Sequence, residues 1–311
     1  MRAVVIREFG PPGVLRLAEV AEPAAGPGEV TVDVELASVT FVETQVRSGH
    51  PPHSSMLPAL PAILGNGVGG TVAGRRVVTS LGGTGGYAER AIAPAGQLIE
   101  VPDGVPLRDA VALLADGRTA LALTELAAPR AGDTVVVEAA AGGVGTLLVQ
   151  LAGNAGARVV ALAGTDRKLA VARELGADLA VSYAEPGWEQ RVRDAAGDVD
   201  VVFDGVGGSI GRAAFGLLRA GGRFCPFGMA SGSFAPVPPD LAAARRVSVL
   251  RGAVPDVARR TALTRAALAE AAAGRIRPVI GQEHALARAD AAHAAIEARA
   301  TTGKTLLTVP G

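Results

Sequence analysis

Aromatic residues and cysteine are scarce in this chain of 311 residues: 3% of it is aromatic, with one tryptophan and two tyrosines, and Cys225 is the one cysteine. A single cysteine excludes an intrachain disulfide and any metal cluster built on several thiolates. Charge of one sign is not in excess, since 30 basic residues face 30 acidic ones. With no basic tract, nucleic acid is a poor partner. Although 49% of the residues are apolar, no run approaches the roughly 20 continuous apolar residues that a membrane span needs. The start, Met1 to Glu8, alternates like a strand and lacks the apolar core and cleavage site of a signal peptide. A reducing, cytoplasmic location without membrane partners is expected. Histidine is sparse too, at four. His50 and His53 form the one close pair, in a proline-rich stretch with no third ligand nearby, so a polar loop is expected there rather than a metal site.

What the chain does have is a distinctive centre. Thr134–Val137 is a β-branched run that passes through small residues into Gly142, Gly143, Val144 and Gly145. Thr146 to Ala152 then shows helical spacing. Strand, tight turn and helix in that order aim backbone N–H groups and a helix N-terminus at one spot, where a pyrophosphate can sit. Ala140, Gly142 and Gly145 take the three small positions of a variant dinucleotide fingerprint.

From this turn onward strands and helices alternate with short loops. Strands are expected at 158–163, 179–183, 199–204, 222–228 and 247–250, and helices at 166–175, 188–196 and 210–218. That alternation predicts a parallel, doubly wound sheet covered on both faces, with ligand at the carboxyl ends of its strands. Residues 1–118 differ, with short alternating segments broken by Gly and Pro, as in a compact, mostly β domain. The tail from about residue 255 reads as two Ala-rich amphipathic helices and a last strand over 304–309.

Several stretches in order carry a resemblance: Gly28-Glu29-Val30, Phe41 to Thr44, Arg47-Ser48-Gly49, Gly85 to Glu89, the glycine turn 139–145, Leu175 to Asp178, and Gly303-Lys304. Over its whole length the chain resembles the zinc-free members of the medium-chain dehydrogenase/reductase superfamily, the quinone oxidoreductase group. The resemblance implies an α/β architecture, in which a GroES-like, mostly β catalytic domain (1–118 and 255–311) surrounds a doubly wound Rossmann domain (119–254), with a cleft between them. It also implies NADPH as hydride donor, a small apolar substrate and a homodimer, for which the strand at 247–250 offers a pairing edge. In the zinc-dependent members a cysteine and a His-Glu pair hold the catalytic metal. Here Thr40 takes the cysteine position, and Asn66 and Gly67 replace the pair. A neutral hydroxyl and an amide are poor zinc ligands, so no metal is expected.

The coenzyme expectation has a physical basis as well. The second strand of the parallel sheet ends in Ala163-Gly164, without the carboxylate that holds ribose hydroxyls in NAD-binding folds. Gly164, Thr165, Arg167 and Lys168 follow. By resemblance Lys168 and Tyr183 contact the 2′-phosphate. Otherwise Arg167 and Lys168 are solvated first-turn residues, where cations oppose the helix dipole. Asp166 is either a helix cap or a ribose ligand.

Hydride transfer to a conjugated carbonyl needs an oriented acceptor, stabilised charge on oxygen and a proton. The resemblance places Thr40 and Thr119 beside the nicotinamide. Gly228, Met229 and Ser231 fall in a coenzyme loop, and Lys304 near the ribose or phosphates. Each has a plainer reading: Thr119 caps the helix that follows it, and Lys304 is an exposed strand end. Glu43 either handles the proton or makes a structural hydrogen bond to backbone. Arg118 either stabilises an enolate or binds a substrate carboxylate, or else pairs with Asp116. The tyrosines that the family often carries at the positions of Gln45 and Pro51 are absent, and the segment 69–77 is short enough to imply a lost hairpin. The expected activity is NADPH-dependent reduction of a quinone or an α,β-unsaturated carbonyl compound. The alternatives are an enoyl-reductase-like tailoring enzyme acting on a specialised metabolite and an NADPH-binding protein with little catalysis.

Overall fold

The computed structural model describes residues 1–252 and 255–310. Strands β1 (Arg2–Ile6), β2 (Arg16–Glu19) and β3 (Glu29–Val39) lead into helix α1 (Phe41–Ser48). Then come β4 (Ala62–Ile63), β5 (Gly67–Val72), β6 (Arg75–Ser80), β7 (Arg90–Pro94), β8 (Ile99–Glu100) and α2 (Leu107–Ala127). Strict alternation follows, through β9 (Thr134–Val137), α3 (Gly143–Asn154), β10 (Arg158–Ala163), α4 (Asp166–Glu174), β11 (Leu179–Ser182) and α5 (Trp188–Ala196). It continues with β12 (Val199–Asp204), α6 (Gly208–Phe215), β13 (Leu218–Pro226), α7 (Pro239–Ala244) and β14 (Ser248–Val249). The chain closes with α8 (Val257–Ala272), β15 (Ile280–Ala285), α9 (Ala289–Glu297) and β16 (Lys304–Thr308). Among the described residues no helix is long and apolar enough to cross a membrane.

The chain forms two compact units, Met1–Gly117 with Val257–Gly311, and Arg118–Asp256. Val254, where a boundary is expected from sequence, lies outside the described residues.

In the first unit a seven-stranded sheet runs β15-β16-β3-β5-β6-β8, with β7 also on β3, beside a three-stranded sheet β2-β1-β4. Ile6, Val32, Val68, Leu64 and Leu307 pack in its core. β5 and β6 form an antiparallel hairpin closed by Ala73 and Gly74, with φ of 49° and 77°. Two positive-φ turn residues match the twist of paired strands. The segment 69–77 therefore keeps a hairpin, contrary to the expected loss. It is merely tight, and Gly70 lets it close on β3: a Cβ there would stand 1.9 Å from Asp33 O. β15 corrects the reading of the tail. Its polar residues Gln282, Glu283 and His284 hide a strand that forms because β16 supplies a parallel partner.

The second unit holds a six-stranded parallel sheet in the order β11-β10-β9-β12-β13-β14. The order reverses between β9 and β12, the place where such sheets bind ligands. Val136, Val160, Val202, Phe215 and Phe224 form its core. Ile210 to Leu218 is not one helix. α6 stops at Phe215, Gly216 follows, and Leu218 opens β13 by pairing with Val199.

Candidate functional site

At the carboxyl end of β9 the backbone turns sharply. Ala139 sits at φ 48°, and Gly142 N donates to Ala139 O at 2.8 Å. Ala140 is fully buried and its N–H donates to Leu162 O on β10. A Cβ on Gly145 would stand 2.2 Å from Ala139 O, and one on Gly142 3.2 Å from the same atom. Side chains cannot fit where the helix meets the strand, so the turn needs glycine at 145. Gly142 caps α3 without any side-chain hydrogen bond. The first helical N–H groups, including those of Gly143 and Val144, are left to an external acceptor.

The end of β10 lies alongside. Gly164 packs against the Tyr183 ring, which a Cβ at 164 would meet at 3.2 Å. Thr165 caps α4, its hydroxyl accepting from Lys168 N at 3.4 Å. The cap is thus Thr165 rather than Asp166, which occupies the first helical position. Arg167 and Lys168 follow in the first turn, Arg167 exposed, and Lys168 and Tyr183 half-buried.

Past the reversal point, two loops are tied together. Gly228 N donates to Asp204 O, Ser231 N to Val206 O and Gly208 N to Ser233 O. No Cβ fits at Gly228, which would meet Gly205 O at 2.4 Å. Gly228, Met229 and Ser231 therefore line one loop edge, set by the turn after β12. Beneath it lies a buried pair that the sequence reading passed over, Glu138 and Asp204, both 0% exposed. A glutamate closing a run of valines was the available signal.

In the first unit, Thr40 and Glu43 form a capping box at the start of α1. Glu43 Oε2 accepts from Thr40 N at 2.6 Å, Thr40 Oγ1 at 3.0 Å and the Tyr87 hydroxyl at 3.3 Å, while Oε1 accepts from Asn66 N at 2.7 Å. Burial raises the Glu43 pKa against the pull of those donors and of the Lys304 charge. Tyr87 also lies 3.0 Å from His293 Nε2, with the rings edge-on. Burial, helped by the Glu43 charge, pushes the Tyr87 phenol well up. Burial and then the Arg47 charge push His293 down to about 3. With its hydrogen on Nε2, neutral His293 donates to Tyr87, and Tyr87 to Glu43. Glu43 thus makes the backbone hydrogen bonds of its plainer reading.

Lys304 is not an exposed strand end. Its side chain is 4% exposed and pairs with Asp116 at 3.1 Å. Asp116 thereby has a partner other than Arg118. Thr119 lies inside α2 rather than at a helix start, so it caps nothing. Arg118 and Thr119 are both half-buried and belong to the second unit.

The positions matched to zinc ligands do not fit a metal. Thr40 Oγ1 is engaged with Glu43, and Asn66 Oδ1 accepts from Leu81 N and Gly83 N. Neither oxygen is a thiolate, imidazole or carboxylate donor. No group of three metal-binding side chains occurs among the described residues, and His50 and His53 are both exposed. Cys225 is buried in β13, where burial pushes its thiol up to about 12, so it stays protonated and unreactive.

Residues 143–270 match the zinc-binding dehydrogenase family. The chain is 32% identical over 328 residues to quinone oxidoreductase-like protein 2 of Bos taurus, covering 99% of this chain and 92% of that protein. It is 32% identical over 251 residues to a 2-haloacrylate reductase of a Burkholderia species, covering 76% and 75% of the two chains. The quinone oxidoreductase of Thermus thermophilus, solved alone and with NADPH, superposes with a TM-score of 0.87 at 35% identity, covering 99% of this chain and 100% of that one. With a parallel sheet wound around a glycine turn and likeness along nearly its whole length, the chain belongs to the quinone oxidoreductase group of the medium-chain dehydrogenase/reductase superfamily.

Proposed function

We propose that this protein is an NADPH-dependent reductase that delivers a hydride to a quinone or an α,β-unsaturated carbonyl compound without zinc. The observation that carries the reading is the end of β10, where Ala163-Gly164 carries no carboxylate and Gly164, Thr165, Arg167, Lys168 and Tyr183 gather, with Asp166 at the exposed first position of α4 the one acid among them. A carboxylate there would repel a 2′-phosphate; a hydroxyl, two cations and a phenol suit one. The coenzyme is NADPH, which the Thermus thermophilus relative holds.

Bound NADPH supplies the hydride, which is the hard chemistry. The protein supplies position and charge. The uncapped N-terminus of α3 at Gly142, Gly143, Val144 and Gly145 receives the pyrophosphate, and Gly228, Met229 and Ser231 border the coenzyme. Thr40 and Thr119 orient the reacting groups. Arg118 stabilises the negative charge that develops on the substrate oxygen. Glu43 holds the Thr40 hydroxyl and is the group through which the proton is managed. Lys304 acts through Asp116 and Glu43 rather than on a phosphate. The substrate is small and apolar, and two copies associate through the short edge strand β14.

A second reading has support of its own. Gln45 and Pro51 stand where the family often carries tyrosines, and one relative reduces a 2-haloacrylate. Reduction of a small conjugated acid, with Arg118 on its carboxylate, suits an enoyl-reductase-like tailoring role. Loss of absorbance at the reduced nicotinamide band, followed with quinones, enones and 2-haloacrylates in turn, separates the two readings. Tight NADPH binding with no turnover on any of them would overturn both and leave a coenzyme-binding protein.

A further inference from the structure

Glu138 and Asp204 occupy the floor beneath the coenzyme turn. Glu138 directly follows β9, and its N–H donates to Phe203 O at 3.0 Å, which locks it beside β12. Asp204 ends β12. Both accept from the same backbone group, Val206 N, Glu138 Oε2 at 3.2 Å and Asp204 Oδ1 at 3.1 Å. Asp204 Oδ1 takes Gly207 N as well, at 2.6 Å. The remaining oxygens, Glu138 Oε1 and Asp204 Oδ2, are buried and receive no donor. Asp204 is pressed against α6 so closely that a Cβ on Gly211 would stand 2.5 Å from Oδ2.

Two ionised carboxylates cannot share a dry site without a proton between them. Asp204 has two backbone donors at the start of α6, where the helix dipole favours negative charge. Glu138 has one. The proton therefore belongs on Glu138, and burial first, then the Asp204 charge and the hydrogen bond between the two side chains, raises its pKa well above the usual carboxylate range. Asp204 is the one titratable group that acts on it among the described residues.

We propose that Glu138 is a positioning residue for the coenzyme: as a neutral acid donating to Asp204, it ties the glycine turn to the 204–208 loop and, through that loop, to residues 228–234. The links lie on adjoining backbone groups. Glu138 precedes Ala139, whose carbonyl fixes Gly142 and Gly145, while Val206 and Gly207 adjoin the groups that hold Ser231 and Ser233. Loss of the proton places two negative charges under the pyrophosphate site and frees the turn from the loop. NADPH affinity then falls in step with ionisation of a residue that never touches it. The proposal rests on the coenzyme reading, and its test separates the two.

Infrared difference spectroscopy of the coenzyme-free protein should show a protonated-carboxyl C=O band at neutral pH. That band should vanish in Glu138→Gln and shift in frequency in Asp204→Asn, where burial still keeps the acid neutral but the group that accepts its proton is changed. NADPH titrations should show Kd rising about tenfold as pH climbs through the loss of the band. In Glu138→Gln, whose amide still donates, Kd should stay within about twofold of wild type and lose that pH dependence. A missing band in the wild-type protein overturns the shared proton, without reference to the coenzyme. A band present with Kd indifferent to its loss overturns the positioning role. A protein that shows the band yet binds no NADPH overturns the coenzyme reading and this proposal with it.

Discussion

Lys304 Nζ lies 3.1 Å from Asp116 Oδ1, with the lysine side chain 4% exposed and the aspartate 15%. The pair joins the start of β16 to α2 inside the first unit, and the lysine charge also lowers the pKa of Glu43. Removing Asp116 strands a buried cation, whereas removing Lys304 leaves a carboxylate that water can reach. Asp116→Asn is therefore expected to lower unfolding free energy by about 3 kcal/mol, and Lys304→Met by clearly less. Urea unfolding of both variants checks the order; equal losses would show that the lysine is not desolvated.

Glu43 accepts four hydrogen bonds, two of them from backbone N–H groups. Glu43→Gln keeps the size but turns one acceptor oxygen into a donor, facing an N–H it can no longer satisfy. A loss of about 1–3 kcal/mol in stability is expected. If Glu43 also manages the proton, the variant's turnover loses the limb of its pH profile that tracks this carboxyl. Unchanged turnover at every pH would place the proton source in solvent.

His293 is held neutral, with its pKa pushed from 6.5 down to about 3. In the unfolded chain the same ring binds a proton below about 6.5. Between those values the unfolded state carries more protons, so stability is full above pH 6.5 and declines as pH falls toward 3. This one residue contributes a slope of up to about 1.4 kcal/mol per pH unit. Unfolding curves across that range should be steeper for the wild type than for His293→Asn. Parallel slopes would mean that the ring titrates freely in the native protein.

Much of the parallel unit is legible in sequence because its signals are local. The run from Thr134 to Gly145 carries strand, turn and helix in one stretch, and Trp188–Ala196 and Val199–Asp204 show plain periodicity. Where partners decide, the reading fails. β15 exists through β16, and Leu218 leaves the helix for a strand because Val199 faces it. The site divides in the same way. Motif residues such as Gly145 and Lys168 can be found from order and spacing. The Lys304–Asp116 and Glu138–Asp204 pairs join residues 188 and 66 positions apart, and no pattern along the chain announces such meetings. Thr165, not Asp166, caps α4 because backbone geometry, invisible in composition, chooses between adjacent polar residues.

Isothermal titration of the coenzyme-free protein with NADPH and with NADH is the most direct measurement. NADPH should bind about tenfold or more tightly than NADH, from one or more charge-assisted contacts to the 2′-phosphate, and Lys168→Ala should bring the two affinities together. Equal affinities in the wild type, a preference for NADH, or no binding of either coenzyme would contradict the coenzyme reading.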